Sequence, residues 1–253
     1  MTGCKTERKP NIANGHNADD AAFFQLHNDF CELLDGLLLM RYPKSSLDRP
    51  VMPHIMRQEI NLRELFYLGF QNARRNDHRD PSNKTVGFFL RDQKFVRVCC
   101  RPWQYVAWLS QYQQVMSPDL SIFTDMPFDE QMMNTCRNRL VGAYWQFCGL
   151  MVIPTISWSD ERSFEFAFDG VEHGSVVAIS TIGAKMAKRA FMMGFREMRE
   201  RIQPREVICY GNPFWEMHCY ARITTVEHEG AKARRLSRCR PVPGQMSLFA
   251  DAM

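Results

Sequence analysis

No apolar run in the 253-residue sequence is long enough to cross a membrane. The opening residues, MTGCKTERKPN, have no apolar stretch of the kind a secretory signal carries. A cytoplasmic setting without membrane attachment is therefore expected. There is also no CxxC pair among the nine cysteines, so reduced thiols are expected rather than a disulfide framework. Cys209, His218 and Cys219 lack zinc-site spacing, and no metal or cofactor is implied. A phosphate loop, a nucleophile elbow and an HExxH helix are all missing, which argues against the common ATPase, hydrolase and metalloprotease designs. Charge of one sign is scarce too. With a net charge of +4, any affinity for nucleic acid has to come from local patches.

What is present is a set of short apolar runs. Val115–Phe123, Leu150–Ile156, Val176–Ile182 and Glu206–Tyr210 each end in polar or turn residues, and helical spans separate them. Such runs read as parallel strands buried on both faces and joined by crossover helices. The predicted fold class is α/β, built of parallel β/α repeats, with an incomplete or small TIM-like barrel as one form those repeats can take. Residues 1–20 read as a polar arm, 21–228 as one α/β domain, and 229–253 as a linker and disordered tail. Ala21–Met40 has apolar residues at helical spacing and predicts an N-terminal amphipathic helix. Leu62–Phe70 reads as a short helix, Thr85–Cys100 as two β segments around a polar turn at Arg91–Lys94, and Pro102–Val115 as a helix. RRNDHRDPSNK reads as a solvated loop. Pro127 and Asp129 open a further helix, Gly149 stops it, and Ala184–Ile202 is the clearest amphipathic helix.

In parallel sheets ligands bind beyond the carboxyl ends of the strands. That rule selects Asp119 and Asp125 at the first of these strands, Trp158, Ser159 and Asp160 after the second, and Thr181 at the end of the third. An aspartate could serve as base or nucleophile, or it could cap its own turn. Arg137, Arg139, Lys188 and Arg189 are cationic helix positions that could meet DNA, although for the charges of the Ala184–Ile202 helix a solvated outer face is the plainer reading.

Three resemblances add to these readings. The blocks FFLRDQKF, SPDLSIFTDMP, NTCRNRLVGAYWQ, GLMVIPTISWSDERSFEFAFDG and GSVVAISTIG resemble the family known as domain of unknown function 4417. Its members occur in phages, plasmids and integrated elements, so the resemblance implies a mobile-element setting. Arg91 and Val96 stand where acidic residues are common in that family, and Cys136 where an aromatic is common. The resemblance therefore carries no acid role to the first block. IPTISWS, VVAISTIG and VICYG are loosely similar to the last strands of queuine-type tRNA-guanine transglycosylases. That likeness implies Asp119 as nucleophile or base in a base exchange. Gln245-Met246-Ser247-Leu248-Phe249 resembles the peptide with which bacterial replication proteins dock on the DNA sliding clamp. It implies Gln245, Leu248 and Phe249 as contacts to that partner. The functional expectation is a DNA-metabolism protein of a mobile element with a nucleic-acid or nucleotide-modifying site. The alternative is a non-enzymatic adaptor or DNA-binding protein of phage or plasmid replication.

Overall fold

In the computed structural model, residues 52–63 and 65–227 are described, with Asn28 alone from the chain before them. The predicted N-terminal arm, the Ala21–Met40 helix apart from that one residue, and the clamp-like tail lie outside the described residues.

Seven strands follow in chain order: β1 (Phe66–Gly69), β2 (Lys84–Gly87), β3 (Gln114–Met116), β4 (Val152–Ile153), β5 (Val176–Ser180), β6 (Glu206–Tyr210) and β7 (Ile223–Val226). Every pairing is parallel. β1 to β4 form one sheet, β5 to β7 a second, and a single bridge between Thr155 and Ala178 joins them. Pro154 accounts for that short junction: it accepts a bond from the Ala178 amide but has no N–H of its own to extend β4. The α/β class with parallel strands is as expected. An incomplete or small TIM-like barrel is not established: the strands of the described residues form two sheets, and no pair among them joins β7 to β1.

The core lies in three places. Met116, Ile153, Ala178, Ile208 and Tyr210 come from β3 to β6 and form one cluster between the two sheets. On the other face of β2 to β4, apolar side chains pack against α1 (Val96–Cys100), α2 (Val106–Leu109) and α3 (Phe128–Phe147). The third cluster packs β5 and β6 against α4 (Lys188–Ile202), whose Met192, Phe195, Met198 and Ile202 are buried. Burial on both faces is why these strands read as continuous apolar runs.

Several local expectations are corrected. Leu62–Phe70 is not a helix: Phe66 to Gly69 pair in register with Lys84 to Gly87, and sheet pairing overrides the local pattern. Phe95–Cys100 is not a strand. Phe95 and Val98 are buried while Val96 is 45% exposed, so the buried period is three, as in a helix. The Pro102–Val115 helix ends early, because Gln114 to Met116 belong to β3. Residues 117–127 leave β3 as a loop. The RRNDHRDPSNK loop is not wholly solvated, since buried Asp77 pairs with Lys84 at 2.9 Å. α3 does stop just before Gly149, whose φ of +87° a side chain would strain.

The middle of α3 carries an unusual load of buried polar groups. Asn138 donates to the Pro118 carbonyl at 2.7 Å and to the Thr155 hydroxyl at 2.6 Å, and Ser117 donates to Asn138 Oδ1 at 3.0 Å. Arg139 is 1% exposed and donates to the carbonyls of Thr155, Ala167 and Asp169 at 2.9, 2.8 and 2.9 Å. Burial lowers the pKa of its guanidinium to about 10. The helix is thus pinned to the chain just beyond β3 and β4. Arg139→Met would keep the volume but leave those carbonyls without their cation. It should destabilise the fold by about 3–5 kcal/mol, the range for breaking a buried charged network. Urea unfolding measures this, and a loss within error would contradict the pinning role.

Candidate functional site

The carboxyl ends of β2 to β6 form a rim. The loop after β3 supplies Asp119, Ile122, Phe123, Thr124 and Asp125, and the segment after β4 supplies Ile156, Ser157, Trp158 and Ser159. Ser180 ends β5 and Ile182 follows it, Ala187 precedes α4, and Ala190 and Phe191 come from the start of α4. Together they line a cavity of about 600 Å³. Its walls are largely apolar, with hydroxyls and two carboxyls directed from three loops. That is the usual composition of a small-molecule site.

Asp119 is the unusual group. The residue keeps some exposure, but its Oδ1 is sealed from solvent and has no hydrogen-bond partner. Burial raises the carboxyl pKa to about 7, and the nearby Asp92 carboxylate adds to the rise. A hydrogen bond from Ser157 to the carboxyl and the charge of the Arg139 guanidinium pull in the opposite direction. Asp92 is held in place by Ser121, which donates from its hydroxyl at 2.9 Å and from its amide at 3.1 Å. A carboxyl that titrates near neutrality can give or take a proton at working pH.

Trp158 forms a wall of the cavity, with ring centroids 5.0 Å from Phe191 and 5.9 Å from Phe168. Gly194 on α4 makes room for it: a Cβ there would lie 2.2 Å from the indole nitrogen. Ser159 lines the cavity, but its hydroxyl donates to Gln131 Oε1 at 2.6 Å. Asp125 is exposed at the mouth. So Asp119, Asp125, Trp158 and Ser159 are brought together. Asp160 is not among them, because it caps the following turn and pairs with Arg162 at 2.8 Å. Thr181 is buried and donates to the Asn212 carbonyl at 2.9 Å, which fixes the loop after β6.

The four cationic candidates also separate. Arg139 is interior and cannot reach a nucleic acid. Arg137 and Arg189 are exposed, while Lys188 pairs with Glu216 at 2.6 Å over the Phe214 ring. Sequence reasoning does not select Asp92, Ile182 or Phe191. Asp92 sits in a stretch that reads as a hairpin turn, and Phe191 in the apolar stripe of a helix. The step from TVGFFL to RDQK, an apolar run ending in charge, is the available signal.

Fold and rim together define an α/β protein of parallel strands with a candidate ligand site at the strands' carboxyl ends. Residues 51–227 match the family described as "Domain of unknown function (DUF4417)", and the chain belongs to that family. The Gene 1 protein of Mycobacterium phage L5 is 39% identical over 151 residues, covering 57% of this chain and 65% of that protein. The Gene 1 protein of Mycobacterium phage D29 is 35% identical over 141 residues, covering 54% of this chain and 52% of that protein. The chain therefore spans about half to two-thirds of the length of these curated relatives. No solved structure matches it. Among the described residues, no helix is long and apolar enough to cross a membrane.

The raised carboxyl sets a stability prediction. In the unfolded chain Asp119 ionises near 3.8, and in the folded chain at about 7. Between those values the folded state holds a proton that the unfolded state has lost, so this group's contribution to stability falls as pH rises. Asp119→Asn removes the penalty. The variant should be more stable than the parent at about pH 8, by on the order of 2 kcal/mol, with the difference vanishing near pH 4. Urea midpoints at the two pH values check this. A difference independent of pH would show that Asp119 does not titrate as described.

Proposed function

We propose that this chain is an enzyme of phage DNA metabolism that acts on a nucleobase-bearing substrate, with Asp119 as the reacting carboxylate. The observation that carries the reading is the sealed, unpartnered Oδ1 of Asp119 at the edge of an otherwise mostly apolar cavity. Buried carboxyl oxygens usually have a hydrogen-bond partner, and a carboxyl that has one oxygen without a partner and a shifted pKa at a cleft is a functional candidate. Trp158 and Phe191 offer aromatic surface to a planar ring. In the transglycosylase-like form of the reaction, ionised Asp119 attacks the anomeric carbon, and the bond from that carbon to the base breaks. The departing base takes up a proton from solvent, and an incoming base, giving its ring N–H proton back to solvent, then displaces the carboxylate. A pKa near 7 keeps both forms of Asp119 populated at neutral pH. The phage relatives support the setting. A non-enzymatic adaptor would be expected to have filled strand ends, and the open cavity there favours an enzyme.

Recruitment to replicating DNA is part of the proposal. Gln245, Leu248 and Phe249 would dock on the bacterial sliding clamp, bringing the site to newly made strands. One experiment addresses both parts. Primed DNA loaded with clamp is incubated with the protein and isotope-labelled free bases, and its nucleosides are then read by mass spectrometry. The expected result is label incorporated or base released, reduced about a hundredfold or more by Asp119→Asn. Alanine at Gln245, Leu248 and Phe249 should remove only the stimulation by clamp. Unaltered nucleosides with the intact protein, or full turnover by Asp119→Asn, would overturn the enzymatic reading.

A further inference from the structure

A second cavity, of about 640 Å³, lies beside the first and shares Asp119, Ser180 and Ile182 with it. Its character is different. The loop after β2 contributes Arg91 and Lys94, and the end of β6 contributes Tyr210. Among the described residues, Asp119 and Asp125 are the only charged ones lining the first cavity, whereas the second has two cations against the single shared Asp119. Arg91 is exposed, and its guanidinium has no ion pair or hydrogen-bond partner among the described residues. Lys94 is steered toward the cavity by Gln71, to which its ammonium donates at 2.7 Å. Among the described residues neither cation is ion-paired with the neighbouring Asp92, whose oxygens accept bonds from Ser121.

We infer that the second cavity binds the phosphate of the substrate, so that the ligand is a nucleotide spanning both compartments, with its base against Trp158 and its phosphate at Arg91 and Lys94. This inference rests on the proposed reading of the first cavity. A free guanidinium and an adjacent ammonium are the donors that phosphate recognition uses. The shared wall puts the sugar, which joins base to phosphate, next to Asp119. That is where chemistry at an anomeric carbon would need a carboxyl. The phosphate could belong to a free mononucleotide or to a nucleotide within a single strand, and the two share this chemistry.

The test is calorimetric binding to the full chain. The four nucleoside 5′-monophosphates, their nucleosides, and a five-nucleotide single strand of mixed sequence serve as probes. Among ligands sharing a base, the phosphorylated form should bind about tenfold or more tighter than the nucleoside. Arg91→Glu combined with Lys94→Glu should abolish that difference and leave nucleoside affinity unchanged. Both positions are exposed, so the double variant should fold, and a melting temperature close to the parent's verifies this. Tight binding of the short strand but not of the monophosphates, lost in the double variant, would place the phosphate within a strand and support the inference. Equal affinity for nucleoside and monophosphate would overturn the phosphate site and leave the first cavity's reading intact. Binding of none of the probes would overturn both.

Discussion

The arrangement at the rim depends on one buried guanidinium. Arg139 reaches from the middle of α3 to three carbonyls of the segments after β4, and Asn138 beside it holds Pro118 and Thr155. Neither β3 nor β4 is long enough to fix its own loop by sheet pairing, since they contribute three and two residues. The polar pins do that work instead. They hold the chain on either side of Asp119 and Ser157, so the carboxyl is presented by a rigid frame although it lies on a loop.

The same guanidinium shapes the electrostatics. Its positive charge favours the ionised form of Asp119, while burial and the Asp92 carboxylate favour the neutral form, and these win. The result is a proton donor or acceptor with a pKa near neutral, set between one apolar, aromatic compartment and one cationic compartment. Neither compartment alone specifies a substrate. Side by side across one carboxyl, they match a molecule with a ring at one end and an anion at the other.

Much of the frame is legible in the sequence. Glu206–Tyr210 has the bounds expected of it, and β4 and β5 fall inside their apolar runs while β3 overlaps its own, because strands buried on both faces leave a continuous signal. The rule that ligands sit beyond strand ends selects Asp119, Asp125, Trp158 and Ser159, which line one cavity. It cannot separate them from Thr181 and Asp160, because strand-end side chains point to a loop or a cap as readily as to a ligand. Arg139 reads as an outer-face cation, since nothing local marks an arginine whose partners are distant carbonyls. Arg91 and Lys94 are hidden by the likeness of their stretch to a hairpin turn. β1 leaves little local trace because its pairing with β2 bridges the distance from Phe66 to Lys84 in sequence.

The central claim is that Asp119 is a carboxyl tuned to neutral pH, and its titration is the most direct measurement. Protein labelled with ¹³C at aspartate carboxyl carbons would be titrated by NMR, with Asp119→Asn identifying the resonance. The account predicts one carboxyl carbon with its midpoint near 7, absent from the variant. A midpoint for that carbon near 3.8, the ordinary value, would contradict it and leave Asp119 as a loop residue without an acid–base role.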